Sequence, residues 1–491
     1  MNDHPLNHIF MPESVAVIGA SNDTAKFGGR ILENLMRFGF KGKLFPINPK
    51  ETRIQGLYSF PDITAVPDPV DLAIITTPGA FVLPAVKACA EKGVKGVEIL
   101  SAGFREAGES GEKLESELID LAQKTGMRIV GPNCFGIYCP AGGLTLLPGV
   151  DFSRESGSAG FISQSGGGAC DIVNMGQGRG VRFSVLVSYG NGSDVDVVDL
   201  LRYFEQDENT RVVGAYLEGV KDGASFFKAL KACAAKKPVV IHKGGLTEQG
   251  RRGTIGHTGS MAGSRKTWEA AVKSAGATAA GDIKDLSDCM MAFCLLDEFS
   301  GKGAGVLAGG GLRCVEALDA ASVHGFEIPV LDPETIDMMK KLLPPSGGAA
   351  GNPADLANPG MPPAVMIPIM EAMAGKDNID FLVLYQLLFY VLSTFTREEG
   401  KNPGFNPENF EFHRKIVPAA REIFQRTRKP LVVVIPEISS DPDHLPVEEG
   451  KLKARKFYTD HGIPCFESGG QAFSVLRRVA DYYLSRDRRN S

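Results

Sequence analysis

The chain has 491 residues, of which 43% are hydrophobic and 23% charged, and its formal net charge is −5. This length allows two to four globular domains, and the acidic balance argues against a nucleic-acid-binding protein. Nine cysteines occur without a CxxC pair, and no run of 18 apolar residues is present. We therefore expect a cytoplasmic protein with no disulfide framework, no metal site and no membrane span.

The chain opens with a strand, a glycine turn and a helix. Residues 15–19 are predicted to form a buried strand that ends in Gly19, and a helical run follows over 31–38. This is the first unit of a doubly wound nucleotide-binding sheet. Further strands, separated by helices, are predicted at 43–47, 72–76, 96–100 and 127–130. Alternating strands and helices predict a parallel sheet.

The end of the second predicted strand discriminates between nucleotide ligands. It carries Asn48 and Lys50, whereas an NAD site requires Asp or Glu for the ribose hydroxyls. A lysine suits a phosphate on the ribose, which both NADP and coenzyme A carry. The first turn also lacks the GxGxxG spacing, which argues against a dehydrogenase. The alternative for Lys50 is an ordinary solvated lysine.

Small and polar residues follow the other predicted strands of this region. They are Thr77 and Pro78, the segment 101–104, and the segment 131–136. Ligands of open parallel sheets bind outside the carboxyl ends of the strands. These strand ends therefore predict one ligand-binding edge.

The pattern restarts after Gly149. A strand over 159–163 leads through Gln164, Ser165, Gly166 and Gly167 into a helix. Such a turn is an anion site, because free N–H groups and the helix dipole converge there; the alternative is a plain tight turn. Further strands are predicted at 183–188, 212–217 and 238–242.

The segment 253–263 surrounds His257 with glycines and small residues. Backbone donors of such a loop suit an anion, so we interpret His257 as a phosphoryl acceptor; a helix end followed by a turn is the alternative. The strand ends of this sheet should bring Ser165, Asp194, Glu218 and His257 to one edge. A carboxylate such as Glu218 would fix the histidine tautomer.

These segments carry a family resemblance. Residues 256–263 (GHTGSMAG), 163–167 (SQSGG) and 216–219 (YLEG) resemble the phosphohistidine, phosphate-binding and glutamate segments of NDP-forming acyl-CoA synthetase α subunits, in the succinyl-CoA synthetase superfamily. The resemblance extends over residues 11–484. The residues after His257 and the segment 190–194 (GNGSD) are more similar to ADP-forming acetate–CoA ligases than to succinyl enzymes.

The resemblance implies an α/β fold with three domains. A Rossmann-like CoA-binding domain would occupy residues 1–148, a flavodoxin-like domain with the phosphohistidine loop 149–300, and a second flavodoxin-like domain 301–491. The catalytic residues would be His257 and Glu218. Phosphate would be bound by Ser165, Gly166, Gly167 and Gly256. The CoA cleft would be formed by Gly19, Ser21, Phe27, Asn48, Lys50, Thr77, Pro78, Ser101, Gly103 and Asn133.

The third repeat begins with a strand over 304–308 and a glycine turn, 309–313. The family usually has Asn-Ala-Gly-Gly-Pro-Gly there, so Arg313 and the missing asparagine are departures, whereas 352–356 (NPADL) matches the family's NPxDL. No Walker loop or ATP-grasp region is recognised. The resemblance therefore implies an ATP-grasp β subunit that binds ATP or ADP with Mg²⁺, in a hetero-oligomer.

The implied reaction is a relay through His257. ATP phosphorylates the histidine, the phosphoryl group passes to a carboxylic acid, and the CoA thiol attacks the acyl phosphate to give acyl-CoA and phosphate. A neutral imidazole is nucleophilic enough for this role. Two alternatives are a non-catalytic CoA-binding regulatory protein and an NADP-dependent dehydrogenase.

Overall fold

A computed structural model describes residues 4–149, 151–250, 265–392 and 410–490. The chain forms two compact units, residues 1–177 with 181–290, and residues 178–180 with 291–491. Within the described ranges, no helix has both the length and the apolar character that a bilayer span requires.

The first sheet lies in the first unit and contains five parallel strands. Strands β1 to β7 are Ser14–Ile18, Lys43–Ile47, Arg53–Ile54, Leu57–Tyr58, Leu72–Ile75, Gly96–Ile99 and Arg128–Val130. The sheet order is β2-β1-β5-β6-β7, and β3 and β4 form a separate hairpin. All residues of β1 are buried, as expected for a strand that is covered by helices on both faces.

Four helices belong to this region. Helices α1 to α4 are Asn7–Phe10, Phe27–Phe38, Val82–Lys92 and Glu109–Thr125. Helix α2 begins four residues before the predicted start at residue 31. Glycines weaken a helix prediction, but Gly28 is required here: a Cβ atom at this position would collide with the Gly19 carbonyl oxygen. The helix start therefore packs directly on the turn after β1.

The second sheet also lies in the first unit. Strands β8 to β13 are Gly136–Tyr138, Ala159–Ser163, Phe183–Ser188, Val212–Leu217, Val239–Lys243 and Thr278–Ala280. Helices α5 to α9 are Gly166–Gly178, Val197–Gln206, Gly223–Lys236, Arg265–Ala275 and Ile283–Leu295. The order is β13-β12-β11-β9-β10-β8, with β8 antiparallel to β10 and the other strands parallel.

Strand β8 precedes the predicted domain boundary at residue 148, yet it pairs with the second sheet. The loop after β7 also pairs with the loop after β10. The N–H groups of Asn191 and Ser193 donate to the carbonyls of Pro132 and Gly131, both at 3.0 Å. The two sheets of the first unit are therefore joined by continuous backbone hydrogen bonding.

The third sheet lies in the second unit. Strands β14 to β18 are Ala304–Ala308, Ala354–Asp355, Phe381–Tyr385, Leu431–Val434 and Cys465–Phe466. Helices α10 to α15 are Gly311–Val323, Pro333–Leu342, Pro363–Ala374, Glu411–Thr427, Leu445–Asp460 and Gly469–Asn490. The order is β15-β14-β16-β17-β18, and every pairing is parallel.

The parallel strands of all three sheets share one order. Numbered along the chain within each sheet, the order is 2-1-3-4-5, which is that of a doubly wound flavodoxin-like sheet. The predicted α/β fold with three restarts of the strand–glycine–helix pattern is confirmed. In this order the first and third strands are neighbours, and the crevice between their carboxyl ends is where ligands bind.

Candidate active site

The crevice of the first sheet lies between the carboxyl ends of β1 and β5. Gly19 follows β1 with a φ of +89°, and Thr76 Oγ1 donates to the Ile18 carbonyl at 2.9 Å. Ser21 Oγ accepts from the Asp23 N–H at 3.0 Å, which shapes the turn before α2. Phe27 opens α2 with about half of its surface exposed, 52%. Polar groups and an accessible aromatic ring therefore surround this crevice.

The end of β2 is tied to the same turn. Asn48 Nδ2 donates to the Ala20 carbonyl, and Asn48 Oδ1 accepts from the Lys50 N–H, both at 2.8 Å. The Lys50 side chain is exposed, and the described residues offer it no ion-pair partner. Asn48 thus shapes the turn, and Lys50 leaves a free cation at the edge of the sheet.

The remaining predicted CoA residues follow β5, β6 and β7. Thr77 Oγ1 is buried and has no hydrogen-bond partner among the residues described. Ser101 Oγ donates to the Thr77 carbonyl at 2.5 Å, and the Asn133 N–H donates to the Ser101 carbonyl at 2.9 Å. The Gly103 N–H donates to Glu106 Oε1 at 2.7 Å. All ten predicted residues therefore lie on connections that leave the carboxyl ends of the first sheet.

The turn between β9 and α5 has the form of an anion site. Ser165 Oγ accepts from the Gly168 N–H at 3.2 Å, and the Ser165 carbonyl accepts from the Ala169 N–H at 3.1 Å. The N–H groups of Gly166 and Gly167 lie in the first helical turn, where no intrahelical acceptor exists. These two donors and the positive end of the helix dipole are available to a phosphoryl group.

Gln164 ties this turn to Glu218. Its Oε1 atom accepts from the N–H groups of Glu218 and Gly219, at 2.7 and 3.0 Å. The Glu218 carboxylate accepts from the Tyr216 hydroxyl at 3.3 Å. Burial, together with the Glu218 charge, raises the pKa of Tyr216 to about 12. Gln164, the neighbour of Ser165, thus holds the Glu218 turn beside the start of α5.

Lys243 also contacts the Glu218 turn, and this contact was not predicted from the sequence. Its Nζ atom donates to the carbonyls of Glu218 and Gly244, both at 2.6 Å. Burial lowers the pKa of Lys243, and the negative charge of Glu218 opposes this effect. The sequence does offer an indication of this contact, because a lysine ends the mostly apolar strand β12. A charge in that position calls for a structural or functional reason.

Three further predicted residues have different outcomes. His257 and Gly256 lie outside the described residues. Asp194, which was expected at this edge, instead accepts from Arg128 Nε at 2.9 Å and from the Ile129 N–H at 2.8 Å. That carboxylate therefore joins the two sheets of the first unit, and it is not available to a phosphoryl group.

The second unit has its own cavity at the corresponding edge of the third sheet. The cavity measures about 730 Å³ and is lined by residues after β14, β15 and β16, among them the apolar Met361, Leu387 and Tyr390 and the polar Asn358 and Gln386. Arg313, the departure from the family pattern, pairs with Glu316 on α10 at 2.6 Å. The Arg313 guanidinium is thus held along its own helix.

Comparisons with known proteins agree with this arrangement. A CoA-binding domain model matches residues 13–140, and a succinyl-CoA ligase-like flavodoxin domain model matches residues 156–293. In a structure of the dinucleotide-forming acetyl-coenzyme A synthetase 1 of Ca. Korarchaeum cryptofilum, in complex with phosphate and ADP, a chain with 30% identity superposes with a TM-score of 0.81. The match covers 99% of this chain and 98% of that one.

Two curated relatives come from Pyrococcus furiosus. The α subunit of its ADP-forming acetate–CoA ligase I is 38% identical over 393 residues, which cover 77% of this chain and 82% of the relative. The α subunit of its ADP-forming acetate–CoA ligase II is 38% identical over 351 residues, which cover 72% and 76%. On this similarity, and on the fold and strand-end sites described above, the chain belongs to the family of ADP-forming acetate–CoA ligase α subunits.

Proposed function

We propose that this chain is the α subunit of an ADP-forming acid–CoA ligase. The enzyme interconverts a carboxylic acid, CoA and ATP with acyl-CoA, ADP and phosphate. The observation that carries the proposal is the contact of Gln164 with the backbone of the Glu218 turn, because it holds the residue that bears this carboxylate beside an anion-binding helix start. That pairing suits a histidine that is phosphorylated and then dephosphorylated.

CoA is assigned to the crevice of the first sheet. The exposed Lys50 ammonium group suits the 3′-phosphate, and the unpartnered Thr77 hydroxyl can bond to a polar group of the ligand. Gly28 keeps the start of α2 against the Gly19 turn, which leaves room for a nucleotide to approach the backbone. These features fit a phosphorylated nucleotide with an extended arm.

The phosphoryl site is assigned to Ser165, Gly166, Gly167 and Gly256, with His257 as the acceptor and Glu218 as the group that orients it. In the forward direction the His257 ring attacks the γ-phosphorus of ATP, and ADP leaves. A carboxylate oxygen of the acid then displaces the histidine and gives an acyl phosphate. The CoA sulfur attacks the acyl carbon, loses its proton and releases phosphate. The Gly166 and Gly167 N–H groups stabilise the phosphoryl oxygens throughout.

The nucleotide site is assigned to a partner. Two similar proteins are named as subunit α, which supports a second subunit. We infer that this partner is an ATP-grasp β subunit that binds ATP or ADP with Mg²⁺, and that the two subunits form a hetero-oligomer.

The test is to incubate the reconstituted enzyme with γ-labelled ATP and to map the acid-labile label. We expect the label on His257 and its loss in His257→Asn. Glu218→Gln should fold normally and accept the label more slowly, by about 10²-fold. His242→Asn is the matched control, because the His242 Nδ1 atom lies 3.2 Å from the Ala280 carbonyl. A label that persists in His257→Asn would rule out this acceptor.

A further inference from the structure

One segment of the first unit contacts both predicted sites. The segment 131–136 connects β7 to β8. Its Asn133 N–H donates to the Ser101 carbonyl in the CoA crevice at 2.9 Å. Two residues later, the Phe135 ring packs against Gly166, at the start of the phosphoryl turn. The segment therefore connects the predicted CoA crevice with the predicted phosphoryl turn.

The Phe135 ring is held closely against the turn. A Cβ atom at Gly166 would lie 2.6 Å from Phe135 Cγ and 2.8 Å from both Cδ atoms, so this glycine packs on the face of the ring. The Phe135 N–H donates to Ser188 Oγ at 3.1 Å, and its carbonyl accepts from the Leu147 N–H at 3.2 Å. The backbone of Phe135 is thus fixed on both sides, while its side chain is only half-buried.

The chemistry requires a third position between the two sites. The acyl carbon must reach the phosphoryl group in one step and the thiol sulfur in the next. Two residues of extended chain span at most about 7 Å, which is the distance available between Asn133 and Phe135. An acyl group that passes between the two sites can follow this segment, where the half-buried side chain next to the phosphoryl turn is the Phe135 ring.

We propose that the half-buried Phe135 ring forms the wall of the acyl position and determines which carboxylic acids the enzyme accepts. The inference rests on the proposed ligase function. The ring contacts the hydrocarbon part of the acid and excludes water from the acyl phosphate. An apolar wall favours monocarboxylic acids and disfavours a second carboxylate, since burying a charge against a phenyl ring costs solvation free energy.

The test compares acetate, butyrate and succinate as substrates of the reconstituted enzyme. We expect Phe135→Ala to raise the ratio of kcat/KM for butyrate over acetate by about 10-fold or more, because each methylene in an apolar pocket changes the rate by about 10-fold to 200-fold. Phe135→Leu should give an intermediate ratio. Succinate should be a poor substrate of the unmodified enzyme.

The matched control is Phe227→Ala, which removes another half-buried ring that packs on the core of the same unit from α7. Its acid profile should equal that of the unmodified enzyme. Phosphorylation by ATP and the Kd for CoA should change less than about 3-fold in the Phe135 variants, since neither event involves the acyl group. Phe135→Leu keeps the test valid if the alanine variant does not fold.

The two proposals fail in different ways. If the unmodified enzyme makes no acyl-CoA from any acid, the ligase function is wrong. If the unmodified enzyme is active, the kcat/KM ratio for butyrate over acetate decides about Phe135. A ratio in the folded Phe135 variants that stays within 2-fold of the ratio in the unmodified enzyme would show that Phe135 does not form the acyl wall.

Discussion

At the end of β2, Lys50 has an exposed ammonium group with no carboxylate partner in the described part of the chain. We expect Lys50→Ala to weaken CoA binding by about 1–3 kcal/mol, because a charge-assisted hydrogen bond to phosphate is lost. Dephospho-CoA, which lacks the 3′-phosphate, should be affected much less. Calorimetric titration of both ligands, and of NADP, measures the effect.

Lys41→Ala is the control for Lys50, because Lys41 is another exposed lysine of the same region. Its removal should leave both affinities unchanged. Equal weakening of CoA and dephospho-CoA in Lys50→Ala would contradict the contact with the 3′-phosphate.

Gln164 accepts two backbone N–H groups of the Glu218 turn through one oxygen. Gln164→Ala leaves both donors without this partner, so we expect a loss of stability of about 1–3 kcal/mol. We also expect phosphorylation by ATP to slow about 10-fold to 100-fold, because Glu218 is no longer held in place. Denaturant unfolding and the rate of label incorporation report the two effects separately.

The control for Gln164 is Gln177→Ala, which removes a side chain that accepts from the Ser153 N–H away from the turn. This variant should lose some stability and keep its phosphorylation rate. Equal slowing in both variants would assign the effect to general destabilisation.

Glu98 on β6 is fully buried beside Gly136, and burial raises the pKa of its carboxyl group to about 8. The folded protein thus holds this proton more tightly than the unfolded chain, whose ordinary value is 4.5. The bound proton therefore makes its full contribution to the free energy of unfolding below pH 4.5. This contribution falls by about 1.4 kcal/mol per pH unit as the pH rises towards 8. Glu98→Gln should remove this slope.

Unfolding free energies of both proteins at pH 5, 6, 7 and 8 test the prediction for Glu98. The difference between the unfolding free energies of Glu98→Gln and the unmodified protein should change steadily with pH. Glu117→Gln is the control, because Glu117 is an exposed carboxylate on α4, and its unfolding free energy should run parallel to that of the unmodified protein. A constant difference between Glu98→Gln and the unmodified protein would show that Glu98 is ionised in the fold.

Single residues could be predicted where a strand end places them. Lys50, Ser165 and Glu218 follow apolar runs, and the alternation of elements was enough to put them at sheet edges. The contacts of Gln164 and Lys243 with the Glu218 turn were not predicted, because they cross from one strand end to the next and leave no periodicity in the sequence. Asp194 was predicted at the same edge, but the packing of the first sheet supplies Arg128 as a closer partner.

Among the elements, helix α5 begins with two adjacent glycines in different surroundings. A Cβ atom at Gly166 would meet the Phe135 ring, whereas at Gly167 the nearest atom is Ser165 Oγ at 3.9 Å. We expect Gly166→Ala to destabilise the protein by about 1–3 kcal/mol through overpacking. Gly167→Ala should change stability by less than about 1 kcal/mol. Denaturant unfolding of the two variants provides the comparison.

Rescue tests the cause of the Gly166 effect. Adding Phe135→Ala to Gly166→Ala removes the ring that the new methyl group meets, so the double variant should lose less stability than the sum of the two single variants. Strict additivity would show that the methyl group and the ring do not meet.

The elements themselves were mostly predictable. Strands β2, β9, β10, β11 and β14 have the predicted bounds, because largely buried parallel strands read as nearly continuous apolar runs. The short strands β8 and β15 were not predicted, since two or three residues carry no periodicity. The polar residues of 402–414 predict a loop, but helix α13 begins at Glu411; residues 402–409 lie outside the described residues.

At the scale of the whole molecule, we predict that the chain needs a partner. In the described part of the chain, its three sheets carry the proposed CoA crevice, the proposed phosphoryl turn and the cavity of the second unit, and none of these residues forms a recognisable ATP site. The purified chain should bind CoA and form no acyl-CoA from ATP and acid until the ATP-grasp subunit is added. Acyl-CoA synthesis by the chain alone, with no co-purifying protein, would contradict the proposed division of sites.

Strand β8 makes the first unit difficult to divide. A fragment that starts at residue 149 would leave β8 behind and uncover the hydrogen-bonding edge of β10. Open edges of this kind pair with other chains, so such a fragment should self-associate. A fragment that starts at residue 131 keeps this edge covered by β8 and should self-associate less through β10. For protein engineering, the useful cutting point in this unit therefore lies before the loop after β7, well upstream of the point where the repeat pattern restarts.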